Sequence, residues 1–160
     1  MKNAAFIILY VFLFASCQKE CDDQAQPDYR ALYTGTYNIH LNINDVSGIP
    51  VSFANPLKEA DVTIRIYPDS DSCNKLWING LYGCAEPVPA VANANGFDIT
   101  TSSTGVHPSE IGFKNLGGQI DADFDYLTIS GSYAGHGALN YVLSDGDFIN
   151  FLSCSGILKR

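Results

Sequence analysis

The sequence predicts an all-β fold: an antiparallel meander, closed or nearly closed into a barrel of roughly eight to ten strands, behind a short helical N-terminal segment. Three observations point there. Residues 31–44 alternate strictly between apolar and polar side chains. Beyond them, short alternating or β-branched runs are separated by Gly-, Pro-, Asn- and Asp-rich turns. No stretch after the N-terminal segment carries a 3.6-residue apolar period.

Along residues 31–44, Tyr33, Gly35, Tyr37, Ile39, Leu41 and Ile43 fall on one face. Thr34, Thr36, Asn38, His40, Asn42 and Asn44 fall on the other, so a long half-buried strand is expected. Residues 45–60 hold Asp45, Gly48, Pro50, Asn55 and Pro56 and read as a loop. Asp61 to Tyr67 alternates again through Val62, Ile64 and Ile66, and Pro68 to Ser72 is a turn. Asn79-Gly80, between Lys75–Ile78 and Leu81–Tyr82, is the dipeptide of a two-residue hairpin. Residues 85–95 have no period and are read as an irregular loop. Phe97–Thr101, Ile111–Leu116 and Gln119–Ala122 are short strand candidates, and the apolar phase slips at Asp123–Asp125, which predicts a turn. Tyr126–Tyr133, Ala138–Leu143 and Asp147–Leu158 complete the meander, with turns at Gly135-His136-Gly137 and Asp145-Gly146.

The N-terminal segment has one positive charge, Lys2, an unbroken apolar run from Ala4 to Phe14, and small residues before Cys17. The run falls short of the ~20 apolar residues that a membrane span needs, and its parts match the n-, h- and c-regions of a secretory signal. Leu13-Phe14-Ala15-Ser16-Cys17 resembles a bacterial lipoprotein signal, which implies cleavage before Cys17 and lipid on its sulfur. The acidic leader Gln18-Lys19-Glu20, Asp22-Asp23 resembles the tag that follows the acylated cysteine in surface-exposed lipoproteins of the Bacteroidota. The resemblance implies an outer-membrane, lipid-anchored protein at the cell surface, with the membrane as partner through the lipid on Cys17. The domain organisation expected is then a signal peptide (1–16), a polar tether (17–30) and a β-barrel domain (31–160). Fully extended, the tether reaches about 45 Å.

Removing residues 1–16 leaves 144 of the 160 residues, enough for one domain with its own core. The net charge moves from −8 to −9, because Lys2 is the only charge lost. Such a chain is a poor match for nucleic acid. Of the five cysteines, Cys17 is assigned to lipid, leaving Cys21, Cys73, Cys84 and Cys154 as disulfide candidates in an oxidising compartment. Four cysteines allow three pairings. Cys73–Cys84 is preferred because the two bracket the expected hairpin, with Cys21–Cys154 as the remaining pair. No two of these four cysteines sit at zinc-ligand spacing, and no metal or other cofactor is expected.

Tyr33-Thr34-Gly35-Thr36-Tyr37 resembles the opening of lipocalin-like (calycin-type) barrels, whose signature there is G-x-W, with Tyr37 standing in the Trp position. Gly131-Ser132-Tyr133-Ala134-Gly135 is similar to the Gly-rich penultimate section of Bacteroidota lipoproteins of this size. The resemblance implies an eight-stranded barrel, often with an apolar cavity, and transfers no ligand.

The sequence advertises no catalytic set. His40, His107 and His136 are not at ligand spacing, there is no G-x-S-x-G elbow, and an enzyme is not expected. Asp121, Asp123 and Asp125 are spaced by two; a calcium site is one reading and a solvated turn the other. Tyr33, Tyr37, Tyr67, Trp77, Tyr82 and Tyr141 are candidate cavity lining, each with an apolar body and a polar tip, set against plain core. Two functions follow. One is a barrel that holds a small lipophilic or aromatic ligand. The other is a filled barrel, working through its loops as a surface interaction or structural module for an envelope protein or glycan.

Overall fold

A computed structural model describes residues 27–45, 58–107, 110, 126–135, 137–144 and 151–160. The leader, most of the tether, Asp121, Asp123, Asp125, His136, the expected strands at 111–122 and the Asp145-Gly146 turn lie outside the described residues. A single helical turn, α1 (Arg30–Tyr33), precedes β1 (Gly35–Asp45), β2 (Glu59–Pro68), β3 (Lys75–Asn79), β4 (Val88–Asn93), β5 (Gly96–Ser103), β6 (Thr128–Ala134), β7 (Ala138–Ser144) and β8 (Phe151–Ile157). Each strand pairs antiparallel with the next, and β8 returns to β1, so the eight strands form a closed barrel. Closure removes the unpaired strand edges that an open meander would leave.

β1 is long because it serves two neighbours. Its first part, Gly35–Asn42, pairs with β2, and its second, Leu41–Asp45, pairs with Leu152–Gly156 of β8. This offset is the stagger that a closed sheet of tilted strands requires. Past Gly156 the chain rejoins β1 through a bridge between Asn38 and Lys159. Their backbone groups bond in both directions, at 2.8 and 3.0 Å.

The period-2 pattern places one side-chain set inside. Tyr37, Ile39, Leu41 and Ile43 of β1 meet Ile64, Ile66, Leu76, Ile78, Ala90, Phe97, Ile129, Leu139, Tyr141, Leu143 and Leu152, all buried. A bulge between Ile99 and Ser102 turns β5 by one residue. The Ser102 hydroxyl is buried there without a hydrogen-bond partner.

Several expectations are corrected. Tyr33 lies on α1 and not on β1. Asn79-Gly80 is no two-residue hairpin: β3 pairs with β4 from Lys75↔Val91 to Ile78↔Val88, and the connection runs through residues 80–87. Burial of Leu81 in the core outweighs the local turn preference. Residues 88–93, read as loop, are β4, whose inward Val88, Ala90 and Ala92 do alternate. The real two-residue turn is Ala94-Asn95, between Asn93 and Gly96, which are paired.

Gly131 shows how tightly the barrel is filled. It pairs directly with Tyr141, and a Cβ added to it would lie 2.5 Å from the Tyr141 Cβ. Gly131→Ala should therefore lower stability by about 1–3 kcal/mol, as overpacking does. The exposed neighbour Ser132→Ala should stay within about 0.5 kcal/mol. Urea midpoints of the two variants check this.

Candidate functional site

The barrel has two different ends. At one, the α1 end, lie α1, the β2–β3, β4–β5 and β6–β7 turns and the C-terminus. The other, the loop end, is where β1 joins β2, β3 joins β4, β5 joins β6 and β7 joins β8.

α1 is a lid. Tyr33 packs edge-to-face on Phe97 (5.7 Å, 72°) and on Tyr133 (6.2 Å, 81°), and its hydroxyl donates to the Asn93 carbonyl at 2.9 Å. Such ring pairs are worth roughly 0.5–1.5 kcal/mol beyond their buried area. Burial pushes the Tyr33 phenol up, with the Tyr133 charge adding to it. Tyr37 points inward below the lid and donates to the Tyr33 carbonyl at 2.8 Å. The Arg160 guanidinium lies over the Tyr37 ring and donates to its hydroxyl (3.0 Å) and to the Leu32 carbonyl (3.2 Å). Arg30 fixes the other side of α1. It donates to the carbonyls of Asp69 (2.8 Å) and Ser72 and pairs with Asp28, whose carboxyl it holds below the usual range. Beside this lid an open cleft of about 510 Å³ is lined by Leu32, Tyr33, Ala94, Asn95, Ala134, Gly135 and Gly137.

Below the lid the described inward side chains pack closely. Leu41, Ile64, Leu76, Ile78, Ala90, Leu139, Leu143 and Cys154 are 0% exposed, and Tyr141 is 1% exposed. A water-sized void beside any of them would leave accessible surface on it. Tyr141 is thus a core residue that spans the lumen. Its hydroxyl donates to the Tyr82 carbonyl at 3.2 Å, which ties β7 to the 80–87 loop. Tyr82 itself is half-buried in that loop.

Tyr67 and Trp77 do not line the interior, which corrects the cavity reading for both. They face each other in register on the outer wall, and Trp77 faces Pro89 of β4 on its other side. Strand parity carries the signal: Ile66, Leu76 and Ile78 point in, so Tyr67 and Trp77 point out. Trp77 Nε1 donates to Asp69 Oδ2 at 2.7 Å, and the Lys75 ammonium lies 4.3 Å from the indole centroid. The Asp71 backbone N–H, then the indole N–H, hold the Asp69 carboxyl below its usual range. Arg65 lies over Tyr67. His40, also outward, bonds Asp61 through Nδ1 at 2.8 Å. Among the described residues no three His, Cys, Asp or Glu side chains are grouped to hold a metal ion.

The cysteines correct a further expectation. Cys84 and Cys154 stand unbridged in this structure, whereas Cys73 is disulfide-bonded, so its partner is neither of them and the Cys73–Cys84 and Cys21–Cys154 bonds are not present. Cys73 precedes β3 and Cys84 lies in the connection of residues 80–87 that follows it. The bracket inferred from a tight turn vanishes once that turn becomes a long loop. Burial pushes the Cys84 thiol up to about 12, with the nearby Cys154 charge adding to it. Burial pushes Cys154 to about 11, and a hydrogen bond with Tyr141 opposes the rise. Burial also raises the Tyr141 phenol well above its ordinary value.

Comparisons with protein-family models, with curated proteins and with solved structures find no match to this chain.

The raised thiols make stability depend on pH in a definite sense. Their neutral forms are favoured in the fold, so the stabilisation is complete below the ordinary thiol value near 9 and is lost as pH rises through about 11 and 12. Reduced protein should keep its urea midpoint from pH 6 to 8 and lose it progressively above pH 9. Cys84→Ser with Cys154→Ser should blunt that alkaline loss.

Proposed function

We propose that this protein is a lipid-anchored lipoprotein of the cell envelope, held at the outer membrane through Cys17. Its filled barrel is a non-catalytic interaction module for an envelope protein or glycan at the cell surface. The observation that supports the choice is the close packing of the described inward side chains: Leu41, Ile64, Leu76, Ile78, Leu139 and Leu143 are 0% exposed and Tyr141 is 1% exposed. A ligand-carrying barrel of eight strands needs space among such side chains.

The ends of the barrel support an orientation. The tether enters at the α1 end, where Arg30 and Tyr33 fasten α1 to the β2–β3 and β4–β5 turns. An anchor at Cys17 then places the α1 end toward the membrane. The opposite end, which holds the 80–87 loop, then faces away from it, toward a partner. The outer row Tyr67, Trp77 and Pro89 offers a second contact surface, half-buried and flanked by Arg65, Lys75 and Asn79.

One observation favours a second reading. The open cleft of about 510 Å³ beside the lid has the size of a small-molecule site, and its wall of Ala and Gly brings backbone close to an occupant. In that reading a small lipophilic or aromatic ligand sits at the mouth and not inside the barrel.

Native mass spectrometry of protein purified from cells separates the two. The interaction module gives the mass of the chain and its lipid alone; a stoichiometric small molecule that Tyr33→Ala releases would establish the mouth site instead. Anchoring is tested by growing cells with radiolabelled fatty acid. Wild type should take up label and Cys17→Ser should not; equal labelling of the two would refute the anchor.

A further inference from the structure

We propose that Cys84 and Cys154, unbridged in this structure, are the two ends of a disulfide that forms under oxidising conditions and pins the 80–87 loop to β8. The inference assigns one of the three pairings open to the four cysteines, and leaves Cys21 to pair with Cys73. It relies on the proposed envelope location only for the source of the oxidant.

Cys154 points inward from β8, directly opposite Tyr141 of β7. Leu143, two residues on from Tyr141, shares its inward face. The 80–87 loop folds onto this same patch. Leu81 is buried, the Tyr82 carbonyl accepts from the Tyr141 hydroxyl at 3.2 Å, and the Ala85 N–H donates to the Thr104 carbonyl at 2.9 Å. Gly83 has φ +75° and lies so close to Leu143 that any Cβ there would collide with the leucine Cδ1. The glycine therefore serves as the close-approach point, and it delivers the next residue, Cys84, to the Tyr141–Cys154 pair. The Cys154 charge also acts on Cys84, adding to the rise that burial causes there. Cys73 is already disulfide-bonded, and to neither of these thiols, so it does not compete for them.

The chemistry is thiol–disulfide exchange with an oxidised dithiol carrier or glutathione disulfide. One thiolate attacks a sulfur of the oxidant and forms a mixed disulfide. The second thiolate then displaces the carrier sulfur. One S–S bond breaks and one forms; two protons leave the protein thiols, and the two electrons reduce the oxidant to thiols. Buried thiols with values near 11 and 12 keep a thiolate fraction on the order of 10⁻⁴ or less at pH 7, so the folded dithiol exchanges slowly. Closure belongs to folding, before the loop is buried. The bond then encloses the chain from Cys84 to Cys154, a long loop of the kind whose closure most restricts the unfolded state.

Trypsin makes the test direct, because cleavage after Lys19, Arg30, Arg65, Lys75, Lys114 and Lys159 places Cys21, Cys73, Cys84 and Cys154 in separate peptides. The full chain is reduced in denaturant, refolded in a glutathione redox buffer, alkylated and digested without reductant. The expected product links peptide 76–114 to peptide 115–159, and the linked protein should melt roughly 10 °C above Cys84→Ser refolded alongside it. A link from 66–75 to 76–114, or full alkylation of Cys84 and Cys154, overturns the pairing. Cys154→Ser should leave Cys84 alkylated; a Cys84 that finds another partner in that variant also counts against it. The same digest on protein from intact cells bears on location: thiols at both sites there, with a bond formed on refolding, count against the oxidising envelope and leave the pairing standing.

Discussion

The pairing of β8 with the second half of β1 is the contact on which the remainder depends. Leu41–Asp45 and Leu152–Gly156 join the last strand to the first, and the Asn38–Lys159 bridge extends the seam after the ladder ends. Without that seam the meander would be an open sheet with two unpaired edges and an apolar face wider than its helix turn could cover. With it, every inward side chain faces others across the lumen, and burial becomes mutual. Large and small residues then have to be matched across the barrel. Gly131 opposite Tyr141 is one such match, and the tyrosine occupies the room that the glycine leaves.

Three tyrosine hydroxyls inside or above the barrel solve the same problem. A buried hydroxyl without a partner costs more than its ring gains in specificity. Tyr33, Tyr37 and Tyr141 donate to the carbonyls of Asn93, Tyr33 and Tyr82 in turn, each reaching an element other than its own strand. The bonds close the barrel at both ends: Tyr33 and Tyr37 hold the lid, and Tyr141 holds the 80–87 loop. The two ends thereby differ in kind. The α1 end is an aromatic cap with tight turns, and the loop end is plugged by a loop that also carries a cysteine.

Much of the fold was legible because strand parity is a local property. Ile39, Leu41 and Ile43 announce β1, and Ile64 with Ile66 announces β2, since alternate residues on a pleated strand must face alternate sides. The same parity already placed Tyr67 and Trp77 outside, although aromatic character argued for the interior. β4 was hidden by Pro89, which reads as a loop residue; its ring stands on the outer face beside Trp77 while Val88 and Ala90 point in. Tyr33 continues the alternation of β1 in sequence, yet α1 turns it over the barrel mouth, where Phe97 and Tyr133 from distant strands receive it. Nothing near Tyr33 in the chain signals those two rings.

The amino-acid order settled the all-β class, the course of most strands and which side chains each turns inward, because these follow from backbone pleating and turn chemistry within a few residues. It left open whether the lumen is hollow, where the aromatic residues gather and which thiols meet. Those depend on distances between residues far apart in the chain, and such distances are set only when β8 finds β1 and the side chains of eight strands compete for one interior.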